Sequence, residues 1–91
     1  MANKSISVIG AGSWGTALSI HLAKIGHKVN LWVYEKFLCE QIKKTKENSI
    51  FLPGFSLPKL IYPTNSLKEA IGGNDVILIV VPTNFIRNIL G

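Results

Sequence analysis

Cysteine is nearly missing from this chain. Cys39 stands alone among 91 residues, so no internal disulfide can form. Histidine is scarce too. His21 and His27, with one cysteine, offer no metal-ligand spacing. Carboxylates are few: five Asp and Glu stand against ten Lys and Arg, for a formal charge of +5. No long hydrophobic run exists. The longest, residues 76–81, has the length of a strand and falls far short of the roughly 18–20 residues that span a bilayer. A secretory leader is not expected either, because Gly10, Gly12 and Gly15 interrupt the opening apolar stretch and no small-residue cleavage site follows one. These absences predict a soluble protein of a reducing compartment, the cytoplasm, with no membrane insertion. The basic excess raises nucleic acid as a partner. Its core, however, is Lys43, Lys44 and Lys46, with no aromatic residues interleaved for base stacking. A solvated helix face and no nucleic-acid partner are expected instead.

What is present is apolar and regular. Hydrophobic residues make up 47% and charged ones 16%, which excludes a disordered tail. The length supports one small core and one domain. Residues 5–9 (SISVI) predict a buried strand that ends abruptly at glycine. Trp14, Ala17, Leu18, His21, Leu22 and Ile25 recur at helical spacing and predict an amphipathic helix. Its polar side carries Ser19 and Lys24, and Gly26 stops it. Residues 28–33 (KVNLWV) form the second expected strand. Residues 35–46 form a second helix, with Leu38 and Ile42, and with them Phe37 and Cys39, as candidates for its inner face.

Residues 47–59, with Pro53-Gly54 and Pro58, predict an irregular segment. Residues 60–62 are a candidate short strand. Ser66-Leu67-Lys68-Glu69 has the spacing of a capping box and starts a short helix to Ile71. Residues 75–81 (DVILIVV) are so continuously apolar that a strand covered on both faces is expected. Pro82 ends it, and a last helix begins near Thr83 or Asn84. Strands alternating with helices predict an α/β fold: a Rossmann-like, doubly wound parallel sheet, here truncated after about four strands.

The chemistry sits in Gly10-Ala11-Gly12-Ser13-Trp14-Gly15, a G-x-G-x-x-G pattern. The pattern alone is weak. Between a buried strand and an amphipathic helix it becomes a dinucleotide-binding turn. Gly10 permits the tight turn, Gly12 lets a diphosphate approach the backbone, and Gly15 lets the helix pack close to the strand. Free N–H groups of the first helical turn and the helix dipole favour the anion. A turn needing only tight packing has no need of glycine at all three positions. Past the second strand lies Tyr34-Glu35-Lys36. Glu35 follows the glycine turn by about 20 positions, where a carboxylate bonds the adenosine ribose of NAD. The alternative is that Glu35 merely opens the second helix. A further alternative is that Tyr34 lays its ring against the adenine.

Residues 10–18 (GAGSWGTAL) resemble the opening signature of the NAD(P)-dependent glycerol-3-phosphate dehydrogenases. Leu31-Trp32, Asn48, Phe51-Leu52-Pro53-Gly54, Leu57-Pro58 and residues 75–82 extend the likeness over the whole chain. The resemblance implies reversible reduction of dihydroxyacetone phosphate to glycerol 3-phosphate, which feeds glycerophospholipid synthesis. It implies that Ser13 and Trp14 approach the cofactor diphosphate, that Tyr34 and Phe85 flank the adenine, and that Phe51 lies near the cofactor. Many bacterial members carry arginine where this chain has Tyr34-Glu35. The pair here looks more like the NAD-using branch and favours NAD, with NADP as the alternative cofactor.

The resemblance places the family's catalytic lysines beyond residue 91, on a C-terminal substrate domain. The 91 residues then form the N-terminal part of a dinucleotide-binding domain with no catalytic residue of its own. The small-molecule substrate binds mainly to the absent domain, and a homodimer remains open. Asp75 is expected to cap or solvate. His21 is expected in the interior, His27 in a loop and Cys39 in an apolar site. Two other readings stand beside this one: another two-domain dehydrogenase, of 3-hydroxyacyl-CoA or 6-phosphogluconate type, and a non-catalytic dinucleotide-binding module.

Overall fold

In the computed structural model, which describes residues 4–80, a four-stranded parallel sheet forms the centre. Its strands are β1 (Ser5–Ile9), β2 (Lys28–Trp32), β5 (Ile61–Thr64) and β6 (Val76–Ile79), in the order β5-β2-β1-β6. Ser5 pairs with Lys28, Val29 with Ile61, and Ile6 with Val76. Helices α1 (Ser13–Lys24), α2 (Lys36–Thr45) and α3 (Leu67–Ile71) supply the crossovers. Side chains alternate across the sheet. Val8, Val29 and Leu31 join a core with Ile20, Ala23, Leu38, Cys39 and Ile42 from α1 and α2. Ile9 and Trp32 face the other way, onto Ala70 of α3. Helices therefore cover both faces, which is the doubly wound arrangement. The strand order reverses between β1 and β6, and ligands of such sheets bind outside the strand ends at that point.

α1 faces opposite to its apolar spacing. The expected inner residues Trp14, Ala17, His21 and Ile25 are exposed, and Leu18 is half-buried. The buried face is Gly15, Thr16, Ser19, Ile20 and Ala23. Close packing decides the matter. Gly15 lies so near the Gly10 carbonyl that the helix must present its small residues to the sheet. The hydroxyls this buries are satisfied locally: Ser19 Oγ donates to Gly15 O at 2.7 Å and Thr16 Oγ1 to Ala11 O at 3.2 Å. His21 is thus a surface residue, not an interior one, and Ser19 is not on the polar face. Gly26, at φ 103°, ends α1 as expected; its N–H bonds Ala23 O and that of His27 bonds Leu22 O. His27 also accepts the Lys4 N–H at Nδ1.

In α2, Leu38, Cys39 and Ile42 point inward as expected, and Phe37 is exposed. Residues 47–59 are more ordered than Pro53-Gly54 suggests. β3 (Glu47–Asn48) and β4 (Leu52–Ser56) form a small antiparallel hairpin with an irregular register. Pro53 is tolerated because the pairing is short, and Gly54 takes φ 87°. α3 opens with half of a capping box. Ser66 Oγ accepts from the Glu69 N–H, while Glu69 Oε2 accepts from Thr64 Oγ1. β6 departs from expectation: Val76, Ile77 and Ile79 are exposed. It is the outer strand of the described sheet and pairs with β1 alone. The helix expected near Thr83 lies outside the described residues.

Candidate functional site: the glycine turn and its surround

β1 ends at Gly10, whose φ of 123° turns the chain sharply in a conformation glycine favours. The Gly10 N–H bonds Trp32 O at 3.2 Å, which sets the turn beside the end of β2. A Cβ on Gly15 would stand 1.8 Å from Gly10 O, so this position has no room for any side chain. Gly12 differs. Its φ of −71° suits any residue, and a Cβ there meets nothing within 4 Å. Among the described residues, neither backbone nor packing requires glycine at 12. Among the described residues the space in front of it is open, which leaves room for a ligand group to approach the backbone there. The intrahelical ladder begins with Thr16 N–H on Gly12 O at 2.9 Å. The N–H groups of Ser13, Trp14 and Gly15 precede that ladder and form the positive end of the helix.

The other expected residues surround this turn. Ala11 is buried within it, and Trp14 is 82% exposed at its rim. Ser13 Oγ donates to Phe51 O at 2.6 Å, which fastens the hairpin to the helix start. Tyr34 is exposed, edge-on to Trp32 with centroids 5.7 Å apart. Glu35 occupies the N-cap position of α2, without a side-chain capping bond. Phe85 lies outside the described residues. Asp75 Oδ2 accepts the Ser5 N–H at 2.9 Å, a bond that joins the starts of β6 and β1. Burial pushes the Cys39 thiol above its ordinary pKa, opposed by the nearby Lys43 charge and aided by Glu40.

Two asparagines carry more of the site than the sequence suggests. Asn48 is completely buried and bonds to Ala11, Thr16 and Phe51. In the sequence it stands out only through the family pattern. Asn65 Nδ2 donates to Val33 O and Tyr34 O, both at 2.8 Å, and holds the chain past β2. No spacing or motif points to Asn65, because its partners are backbone carbonyls 31 and 32 positions away.

Residues 5–91 match the family described as NAD-dependent glycerol-3-phosphate dehydrogenase N-terminus. This chain belongs to that family. A glycerol-3-phosphate dehydrogenase [NAD(P)+] of Citrifermentans bemidjiense is 49% identical over 90 residues, covering 99% of this chain and 27% of the relative. One of Bacillus pumilus is 45% identical over 87 residues, covering 96% and 25%. A crystal structure of the Coxiella burnetii glycerol-3-phosphate dehydrogenase superposes with a TM-score of 0.84 at 40% identity. It covers 88% of this chain and 25% of that one. The Plasmodium falciparum glycerol-3-phosphate dehydrogenase gives 0.83 at 26% identity, covering 97% and 27%. The chain thus spans about a quarter of the length of the relatives it matches. Among the described residues, no helix is long and apolar enough to cross a membrane.

Proposed function

We propose that this chain is the N-terminal, cofactor-binding part of a cytoplasmic enzyme that interconverts dihydroxyacetone phosphate and glycerol 3-phosphate, a supply step for glycerophospholipids. The observation that carries the reading is Gly12, a glycine that neither backbone nor packing among the described residues requires, at the start of a helix and with open space before it there. The diphosphate of a nicotinamide dinucleotide lies there, on the N–H groups of Ser13 and Trp14. Tyr34 and Glu35 meet the adenosine, and Phe51 borders the cofactor from the hairpin. When bound, the nicotinamide supplies a hydride to the substrate carbonyl carbon. The proton for the new hydroxyl comes from a donor outside residues 1–91. The substrate is held mainly by the remaining part of the protein, in a separate C-terminal domain.

Glu35 makes NADH the preferred cofactor. Its carboxylate accepts a hydrogen bond from the ribose 2′-hydroxyl and repels the 2′-phosphate of NADPH. Two like charges about 4 Å apart repel by roughly 1 kcal/mol in water and about 4 kcal/mol at an effective dielectric near 20. At about tenfold per 1.4 kcal/mol, that gives roughly a 5-fold to several-hundred-fold preference. The test is the kcat/KM of the full-length protein for dihydroxyacetone phosphate with each reduced cofactor, repeated on Glu35→Arg. The expected result is turnover that favours NADH, and a ratio that moves toward NADPH in the variant. No turnover of dihydroxyacetone phosphate would overturn the proposed reaction. A native preference for NADPH would overturn the role of Glu35.

A further inference from the structure

The bonds of Asn48 converge on the peptide that leads into the glycine turn, between Ala11 and Gly12. Asn48 is fully buried, on the two-residue strand β3. Its Nδ2 donates to Ala11 O at 2.7 Å and to Thr16 Oγ1 at 2.9 Å, so both amide hydrogens are used. Its Oδ1 accepts the Phe51 N–H at 3.1 Å. Thr16 Oγ1 in turn donates to the same Ala11 carbonyl. Two donors therefore hold the Ala11 oxygen inward. A trans peptide is planar, with its C=O and N–H pointing in opposite directions. Fixing the Ala11 oxygen inward aims the Gly12 N–H outward, at the open space above Gly12.

The same side chain ties down the hairpin. Phe51 is held at its N–H by Asn48 and at its carbonyl by Ser13 Oγ. One buried amide thus sets both the glycine turn and the segment facing it. We propose that Asn48 is a positioning residue. It fixes the Ala11–Gly12 peptide in the anion-binding orientation and registers Phe51 against it before any ligand arrives. This rests on the reading of residues 10–15 as a diphosphate site. Its own content is that diphosphate affinity depends on an asparagine the ligand never touches. Its energetic logic is preorganisation: a peptide already held in place loses no rotational freedom on binding.

The test uses the full-length protein and two probes, NADH and adenosine, the second lacking any phosphate. Asn48→Ala removes all three bonds. It is expected to weaken NADH about tenfold or more, on the order of two net hydrogen bonds, while adenosine affinity stays within about twofold. Thr16→Val is nearly isosteric and removes one partner of Asn48 and one donor to Ala11. It is expected to weaken NADH about threefold, again sparing adenosine. It decides the matter should Asn48→Ala fail to fold. Unchanged NADH affinity in the folded variants overturns the proposal, as does an equal loss for both probes, which marks a general collapse of the site. Gly12→Val is the control for the underlying reading. If native protein binds NADH and Gly12→Val does not, the diphosphate site stands whatever Asn48 does. If native protein does not bind NADH, that reading fails first.

Discussion

The glycines at 12 and 15 share a motif but do different work, and the fold separates them. Gly15 is a packing glycine: its absent Cβ is where the Gly10 carbonyl lies, 1.8 Å away. Gly15→Ala should cost on the order of 3 kcal/mol or unfold the protein, because backbone atoms cannot step aside as a side-chain tip would. Gly12→Ala meets nothing within 4 Å. Alanine is a poorer N-cap than glycine, yet it also restricts the unfolded chain, and these effects oppose each other. The net change should stay within about 1 kcal/mol. Thermal melting of the two variants side by side checks the contrast. Equal losses would mean that Gly12 is structural too. The sequence makes both roles legible, because an apolar strand and a helix bracket the motif. It marks Asn48 only through the family pattern, without its bonding role, and does not mark Asn65 at all. Asn65 bonds backbone carbonyls 31 and 32 positions away, Asn48 bonds Ala11 and Thr16 more than 30 positions away as well as the nearby Phe51 N–H, and no periodicity encodes either set.

Among the elements, those governed by long-range packing depart furthest from their local pattern. The apolar spacing of α1 selects Trp14, Leu18 and Ile25, yet the helix buries Ser19, Thr16 and Ala23. Hydropathy ranks the first face higher. It does not include the contact between Gly15 and Gly10, which rotates the helix. The hairpin of β3 and β4 hides for another reason. Most of its side chains are exposed, so it shows no alternation, and Pro53-Gly54 imitates a loop. α2 obeys its pattern, because a single apolar stripe meets the core. Ile42→Ala should cost about 2–5 kcal/mol as a buried cavity. Phe37→Ala, on the exposed side, should change stability by about 0.5 kcal/mol or less. Denaturant midpoints of the two variants measure the difference. A large loss from Phe37→Ala would contradict the assigned face.

Taken whole, the described residues form a parallel sheet with a nucleotide-type turn at its switch point. The relatives are about four times longer than this chain. A polypeptide of residues 1–91 alone should therefore oxidise no NADH with dihydroxyacetone phosphate. A coupled absorbance assay against a mock preparation reads this directly, and activity above the mock would place the proton donor within these residues.

The central claim is that the turn of residues 10–15 is shaped for a dinucleotide diphosphate, with Gly12 kept bare for the ligand. NADH titrated into full-length native protein and into Gly12→Val, with melting curves run in parallel, tests it most directly. The account predicts that the variant melts close to the native protein and binds no NADH, because the isopropyl group fills the space the diphosphate needs. A folded Gly12→Val protein that binds NADH with native affinity would contradict it.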